Sequence, residues 1–171
     1  MPSANHYLPK GLYPFNSINF HNLVPTCNEC NSSYKLSKDP LHTAGGKPKA
    51  FYPYAASGYS IDIHIELKKP DIDYLTPGDI DLGFGPTVIS EEIETWKDVY
   101  GIEERYKAKC CGENVGKAWF TQVMEEWTLD GRSPAEYMST FTRQATKRPF
   151  ADCNFLKKAF LEGCGRAGLF S

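Results

Sequence analysis

The sequence predicts an α+β fold in three parts: a small irregular head, a short two-stranded connector and a mainly helical tail. Three observations lead there. Residues 1–59 are dense in Pro, Asn, Gly, Ser and Tyr and carry no helical period, the composition of loops and turns. Apolar and polar side chains then alternate at period two, the mark of a strand. From Ser90 onward, apolar residues recur at spacings of three and four and helix-terminus signals punctuate them.

Taken in order, residues 59–67 form the clearest strand: Ile61, Ile63, Ile65 and Leu67 share one face, so His64 points away from the isoleucine row. After Pro70 a second run, 80–84, puts Ile80, Leu82 and Phe84 on one side and Asp79 and Asp81 on the other, and the two runs are expected to pair. Ser90 is expected to cap a helix whose first turn holds Glu91 and Glu92 and which ends at Gly101. A second helix covers 102–110 and ends near Gly112, and a third covers 114–127. Ser133-Pro134-Ala135-Glu136 reads as a capping box with proline at the first helical position. A last helix over 152–161 is expected to stop at Gly163. The aromatic stripes of this tail (Trp96, Tyr100, Trp119, Trp127, Phe155, Phe160) are expected to be packing.

Composition narrows the classes. With 41% hydrophobic and 23% charged residues in a chain of 171, disorder and fibrous structure are excluded and a buried core is within reach. No stretch approaches the ~18 apolar residues of a membrane span. The opening residues lack the basic and apolar regions of a signal peptide, so the cytoplasm is the expected compartment and no membrane partner is expected. The net charge of -2 hides an asymmetry. Residues 1–50 hold five lysines against Glu29 and Asp39, a net of +3, which leaves -5 for the rest. A phosphate would be met in the head.

Six cysteines stand at 27, 30, 110, 111, 153 and 164. Their uneven spacing argues against a disulfide framework and for thiols or a metal. Cys27 and Cys30 form a C-x-x-C, which can give two of the four ligands of tetrahedral zinc. Cys110 and Cys111 read as partly buried residues at a helix end.

The informative stretch is Asn5-His6-Tyr7-Leu8-Pro9-Lys10, followed by Asn22-Leu23-Val24-Pro25-Thr26-Cys27-Asn28-Glu29-Cys30-Asn31, with Lys35 four residues on. It resembles the HNH endonuclease family, in particular the branch of phage-defence proteins with a His-Tyr-Leu-Pro-Lys start. The likeness is tight over about 35 residues and looser through 48–54 and 96–106. It implies a ββα-metal head over 1–58 and an accessory region of β-hairpin and helices over 59–171. The implied activity is metal-dependent hydrolysis of nucleic-acid phosphodiester bonds, with DNA as the expected substrate and defence or restriction as the setting.

By that resemblance His6 is the general base, because a neutral imidazole near pH 7 can take a proton from water attacking phosphorus. Asn5 and Asn31 would be ligands of a catalytic Mg²⁺ or Mn²⁺, which prefers oxygen donors. Asn22 would hold the hairpin loop and orient His6, and Lys10 and Lys35 would contact phosphate. The helical tail would serve a homodimer or a partner such as an ATPase.

Two features depart from the family. Asn5 stands where an aspartate is usual, which removes a negative charge from the metal site. A second C-x-x-C normally precedes the histidine, and only five residues precede His6 here, none of them Cys. Cys27 and Cys30 are therefore expected to form an incomplete Zn²⁺ site, the zinc knuckle being lost or an amino-terminal piece missing. The alternative function is a catalytically impaired HNH-like module that holds nucleic acid or a partner. A third reading is a helical adaptor with a vestigial head.

Overall fold

A computed structural model of the chain describes residues 3–42, 49–56 and 60–170. It is mixed α and β, with two two-stranded sheets and a run of helices after residue 90. Two compact units result: one comprises residues 1–61 and 85–102, the other 62–84 and 103–171.

In the first unit, β1 (Ser3–His6) pairs antiparallel with β2 (Leu23–Thr26), with Asn5 opposite Val24 and His6 opposite Leu23. The intervening loop is gathered by two 3₁₀ turns, Pro14–Asn16 and Phe20–Asn22. After β2 the chain enters a short π-helix, Cys30–Lys35. The unit is completed by α1 (Ser90–Tyr100), which the linear division at residue 58 assigned to the tail. The physical reason is side-chain contact: Trp96 meets Phe51 edge-on, and Lys38 and Lys49 reach Asp98 and Glu91. Gly101 closes α1 in the left-handed conformation, at φ 58°, with Tyr34 lying where a Cβ would project.

Ser90 is not a cap. A 3₁₀ turn, Thr87–Ile89, runs straight into α1, so Ile89 occupies the cap position and Ser90 is already helical.

The second unit holds β3 (Asp62–Leu67), β4 (Ile80–Gly85), α2 (Ile102–Cys111), α3 (Ala118–Asp130), α4 (Pro134–Lys147) and α5 (Asn154–Arg166). Tyr59, which opens the strand read from sequence, and Pro48, which opens the looser likeness, lie outside the described residues. Pairing of β3 with β4 is as expected, with His64 exposed and Ile65 fully buried. A continuous apolar core joins Ile65 and Ile80 to Val123, Phe141, Leu156 and Phe160. The capping box is present, with Glu136 accepting from the Ser133 backbone and hydroxyl.

Two expectations for this tail need correction. The third helix begins as a π-turn, Glu113–Lys117, and as α3 it runs on to Asp130, where Gly131 ends it at φ 69°. Gly163 does not end the last helix: α5 continues to Arg166. Gly163 is buried where α5 crosses β3, and an added Cβ would lie 2.6 Å from the Ile65 carbonyl oxygen. Close approach, not chain reversal, is what that glycine serves. Among the aromatics, Trp127 is 37% exposed, whereas Phe160 is fully buried.

Among the described residues, no helix is long and apolar enough to cross a membrane.

Candidate functional site

Asn5 and His6 end β1, and the chain turns immediately beyond them. What fixes that turn is Asn22. Its backbone carbonyl accepts from Tyr7 N at 2.7 Å, and its side-chain Oδ1 accepts from Leu8 N at 2.7 Å. The amide Nδ2 donates to Leu8 O and to Asn16 O, each at 3.1 Å. The carboxamide thus acts as an extra peptide group, extending the β1–β2 ladder past His6 and tying down the loop. Asn22 is 4% exposed with its side-chain donors and acceptor engaged, which is what a buried amide needs.

The same loop orients His6. Ring atom Nε2 lies 3.2 Å from the Ser17 carbonyl oxygen. A carbonyl can only accept, so Nε2 carries the proton in the neutral ring and Nδ1 keeps the lone pair. Ser17 is itself set by its turn, its hydroxyl and amide both donating to Pro14 O.

Lys35 ends the π-helix and is only 1% exposed. Burial pushes its pKa below the ordinary lysine value, and the nearby Asp39 carboxylate acts in the opposite direction. Asp39 has its own partners: Oδ2 accepts from the Tyr13 hydroxyl at 2.8 Å and Oδ1 from Leu41 N at 2.9 Å. That hydrogen bond to Asp39 raises the Tyr13 pKa. Leu36 follows Lys35 at φ 45°, a conformation that costs a side-chain-bearing residue energy.

These elements line an open cavity of about 460 Å³. Asn5 and His6 from β1, Lys10 from the loop and Lys35 from the π-helix all line it, with Pro9 and Leu36 as apolar walls. Four residues singled out in the sequence are therefore brought together. Asn31 is not among the lining residues; it sits half-buried in the π-helix, its backbone N–H donating to Cys27 O at 3.1 Å. Lys10 is exposed, whereas Lys35 is buried, unlike the solvated lysine its type suggests.

Cys27 and Cys30 stand elsewhere in this unit. Cys30 N donates to Cys27 Sγ at 3.3 Å, the turn that a C-x-x-C makes. Both cysteines line a second cavity of about 580 Å³ walled by Tyr7, Phe51, Trp96 and Tyr100. Cys153 and Cys164 belong to the second unit. Among the described residues, no three His, Cys, Asp or Glu side chains gather as a metal site.

The donor set can be tested against a resident Mg²⁺ or Mn²⁺. Such an ion takes oxygen ligands and is ordinarily held by one or two carboxylates. The cavity offers one carboxamide, one imidazole, the Ser37 hydroxyl and two lysine side chains, and no acidic residue lines it. These residues do not fit a resident divalent cation.

Another cavity, of about 730 Å³ in the second unit, has Glu162 as the sole ionisable residue of its lining and holds no base paired with a cation. Sequence reasoning missed Ser17, Tyr13 and Asp39. Ser17 acts through a carbonyl, which every residue has; Asp39 acts through the fold, and only its place four residues after Lys35 hinted at it. No family model matches the chain, and no curated protein or solved structure matches it either.

Proposed function

We propose that the first unit is an HNH-type endonuclease head that hydrolyses nucleic-acid phosphodiester bonds, with His6 as the general base. One observation carries the reading: His6 lines a cavity shared with two lysines while its Nε2 faces the Ser17 carbonyl, leaving Nδ1 as the proton acceptor. In this chemistry a water oxygen bonds to phosphorus as its proton passes to Nδ1. The ester P–O bond breaks, and the departing oxygen takes a proton from solvent. Lys10 and Lys35 hold the non-bridging oxygens as negative charge builds on them. Asn22 is a positioning residue, acting through the backbone that follows His6.

Supercoiled plasmid and single-stranded oligonucleotide, each incubated with the full chain and Mg²⁺ or Mn²⁺, test this directly. Cleavage that falls at least ~100-fold in His6→Ala, within the range for loss of a general base, supports it. Cleavage unaffected by His6→Ala, or none with either substrate, refutes it.

A second reading, a non-cutting module that holds phosphate, draws on the neutral Asn5 and the lack of carboxylates in the cavity lining. It predicts oligonucleotide binding with no cleavage, even in Asn5→Asp.

A further inference from the structure

We propose that the His6 cavity is an anion site that takes a phosphate group before, and without, any divalent cation. The inference rests on the reading of this cavity as a phosphodiester site and reverses the order expected of a metal-centred one.

Lys35 supplies the first ground. Its side chain is almost wholly withdrawn from water, yet it lines an open cavity. A buried ammonium is costly unless something negative meets it. Asp39, the acidic residue that acts on it, does not line the cavity, and its two oxygens already accept from Tyr13 and Leu41. An anion in the cavity would add negative charge on the side of Lys35 that Asp39 does not line.

Asn5 is the second, independent ground. It is 8% exposed, it lines the same cavity, and its Nδ2 is buried with no hydrogen-bond partner. Buried amide donors are rarely left so, and those that are point to a missing acceptor. Phosphate oxygens accept hydrogen bonds; a metal ion cannot. The exposed Lys10 adds a second positive charge to the lining, and imidazole Nε2 is already committed to Ser17.

Mg²⁺ placed in this lining would face two ammonium groups with no carboxylate to offset them, so it is repelled until an anion has entered. The carboxamide at position 5 is the residue that sets this preference: a carboxylate there would satisfy a cation and oppose a phosphate.

Isothermal titration of the full chain in EDTA with inorganic phosphate, and separately with a short oligonucleotide lacking terminal phosphates, tests the proposal. A third titration uses Mg²⁺ alone, without chelator. Saturable binding of either phosphate compound in EDTA, with no uptake of Mg²⁺ alone, is expected; which compound binds tells a free phosphate from a backbone one. Lys35→Met, which keeps the buried stem, should weaken binding at least about tenfold. Lys10→Ala, at an exposed position, should weaken it about threefold, the share of one partly solvated cation. Asn5→Asp should weaken phosphate at least about tenfold and bring measurable Mg²⁺ binding. Mg²⁺ binding to the unsubstituted chain alone, or no phosphate binding until Mg²⁺ is added, overturns the proposal. Loss of cleavage with phosphate binding intact would instead count against the hydrolytic function alone.

Discussion

The two units of this chain differ in how much polar structure they bury. In the second, Ile65, Ile80, Val123, Phe141, Leu156 and Phe160 form one apolar core, and the buried polar exception, Asp79, is tied to Lys69 and Thr76. In the first, Asn5, Asn22, Lys35 and Thr95 are buried beside apolar Val24, Ile93 and Val99, while Leu12, Phe15, Ile18 and Phe20 lie exposed on the loop that orients His6. Hydrophobic burial is non-directional and tolerates many sequences, whereas a buried amide or ammonium must meet specific partners. The second unit is therefore built as scaffold. The first spends stability on placing polar groups, as functional sites do.

Substitutions can break that contrast. The largest effect is expected at Phe160, which is fully buried and packs edge-on against Trp119. Phe160→Ala should cost about 3–5 kcal/mol of unfolding free energy, read by urea denaturation. Asn22→Ala comes next, at about 2–3 kcal/mol, because it strips partners from Leu8 N, Leu8 O and Asn16 O. Hydrogen exchange locates the damage: protection at Tyr7 and Leu8 should fall while that at Ile65 and Leu156 holds. Equal loss in both places would show that the clamp is not local. A smaller gain, about 1 kcal/mol, is expected from Leu36→Gly, which relieves the positive φ. A melting temperature that drops instead would mean the Leu36 side chain supports the cavity wall more than its backbone strains it.

Acid and base should separate the units with the smallest effect. Hydrogen bonds from Lys69 and then Thr76 hold the Asp79 carboxyl down at about 2, against 3.8 for the free group. A depressed carboxyl stabilises above the unfolded value, so this contribution to the second unit is present above pH 3.8 and lost as pH falls to about 2. Asp79→Asn should flatten that part of the acid-melting curve. In the first unit the sign is reversed, because burial lowers the Lys35 pKa below 10.5. Between its folded and unfolded values the unfolded chain holds more protons, so stability rises with pH up to about 10.5. Lys35→Met should remove that rise in thermal melts.

The same contrast explains what could be read from sequence. The second unit was legible in outline because its signals are local: the alternation around Ile65, the capping box at Ser133, the spacing of apolar residues along α3. It failed where a local sign served a tertiary end, as at Gly163, whose missing side chain makes room for Ile65. Ser90 failed because the 3₁₀ turn before it had already started the helix. In the first unit the motif named Asn5, His6, Lys10 and Lys35, and the structure brings them to one cavity. It could not show that Lys35 is buried, that Asn5 lacks a partner or that Ser17 turns the ring, since each depends on chain folded back from elsewhere. Asn31 shared the motif but does not line the cavity.

The most direct test of the account is the tautomer of His6. Long-range ¹H–¹⁵N correlation spectra of the full chain, assigned against His6→Ala and recorded at a pH where imidazole is neutral, distinguish the two ring nitrogens. The expected result for His6 is a protonated Nε2 and an unprotonated Nδ1. A ring protonated at Nδ1 would leave no base where the proposed chemistry needs one and would contradict it.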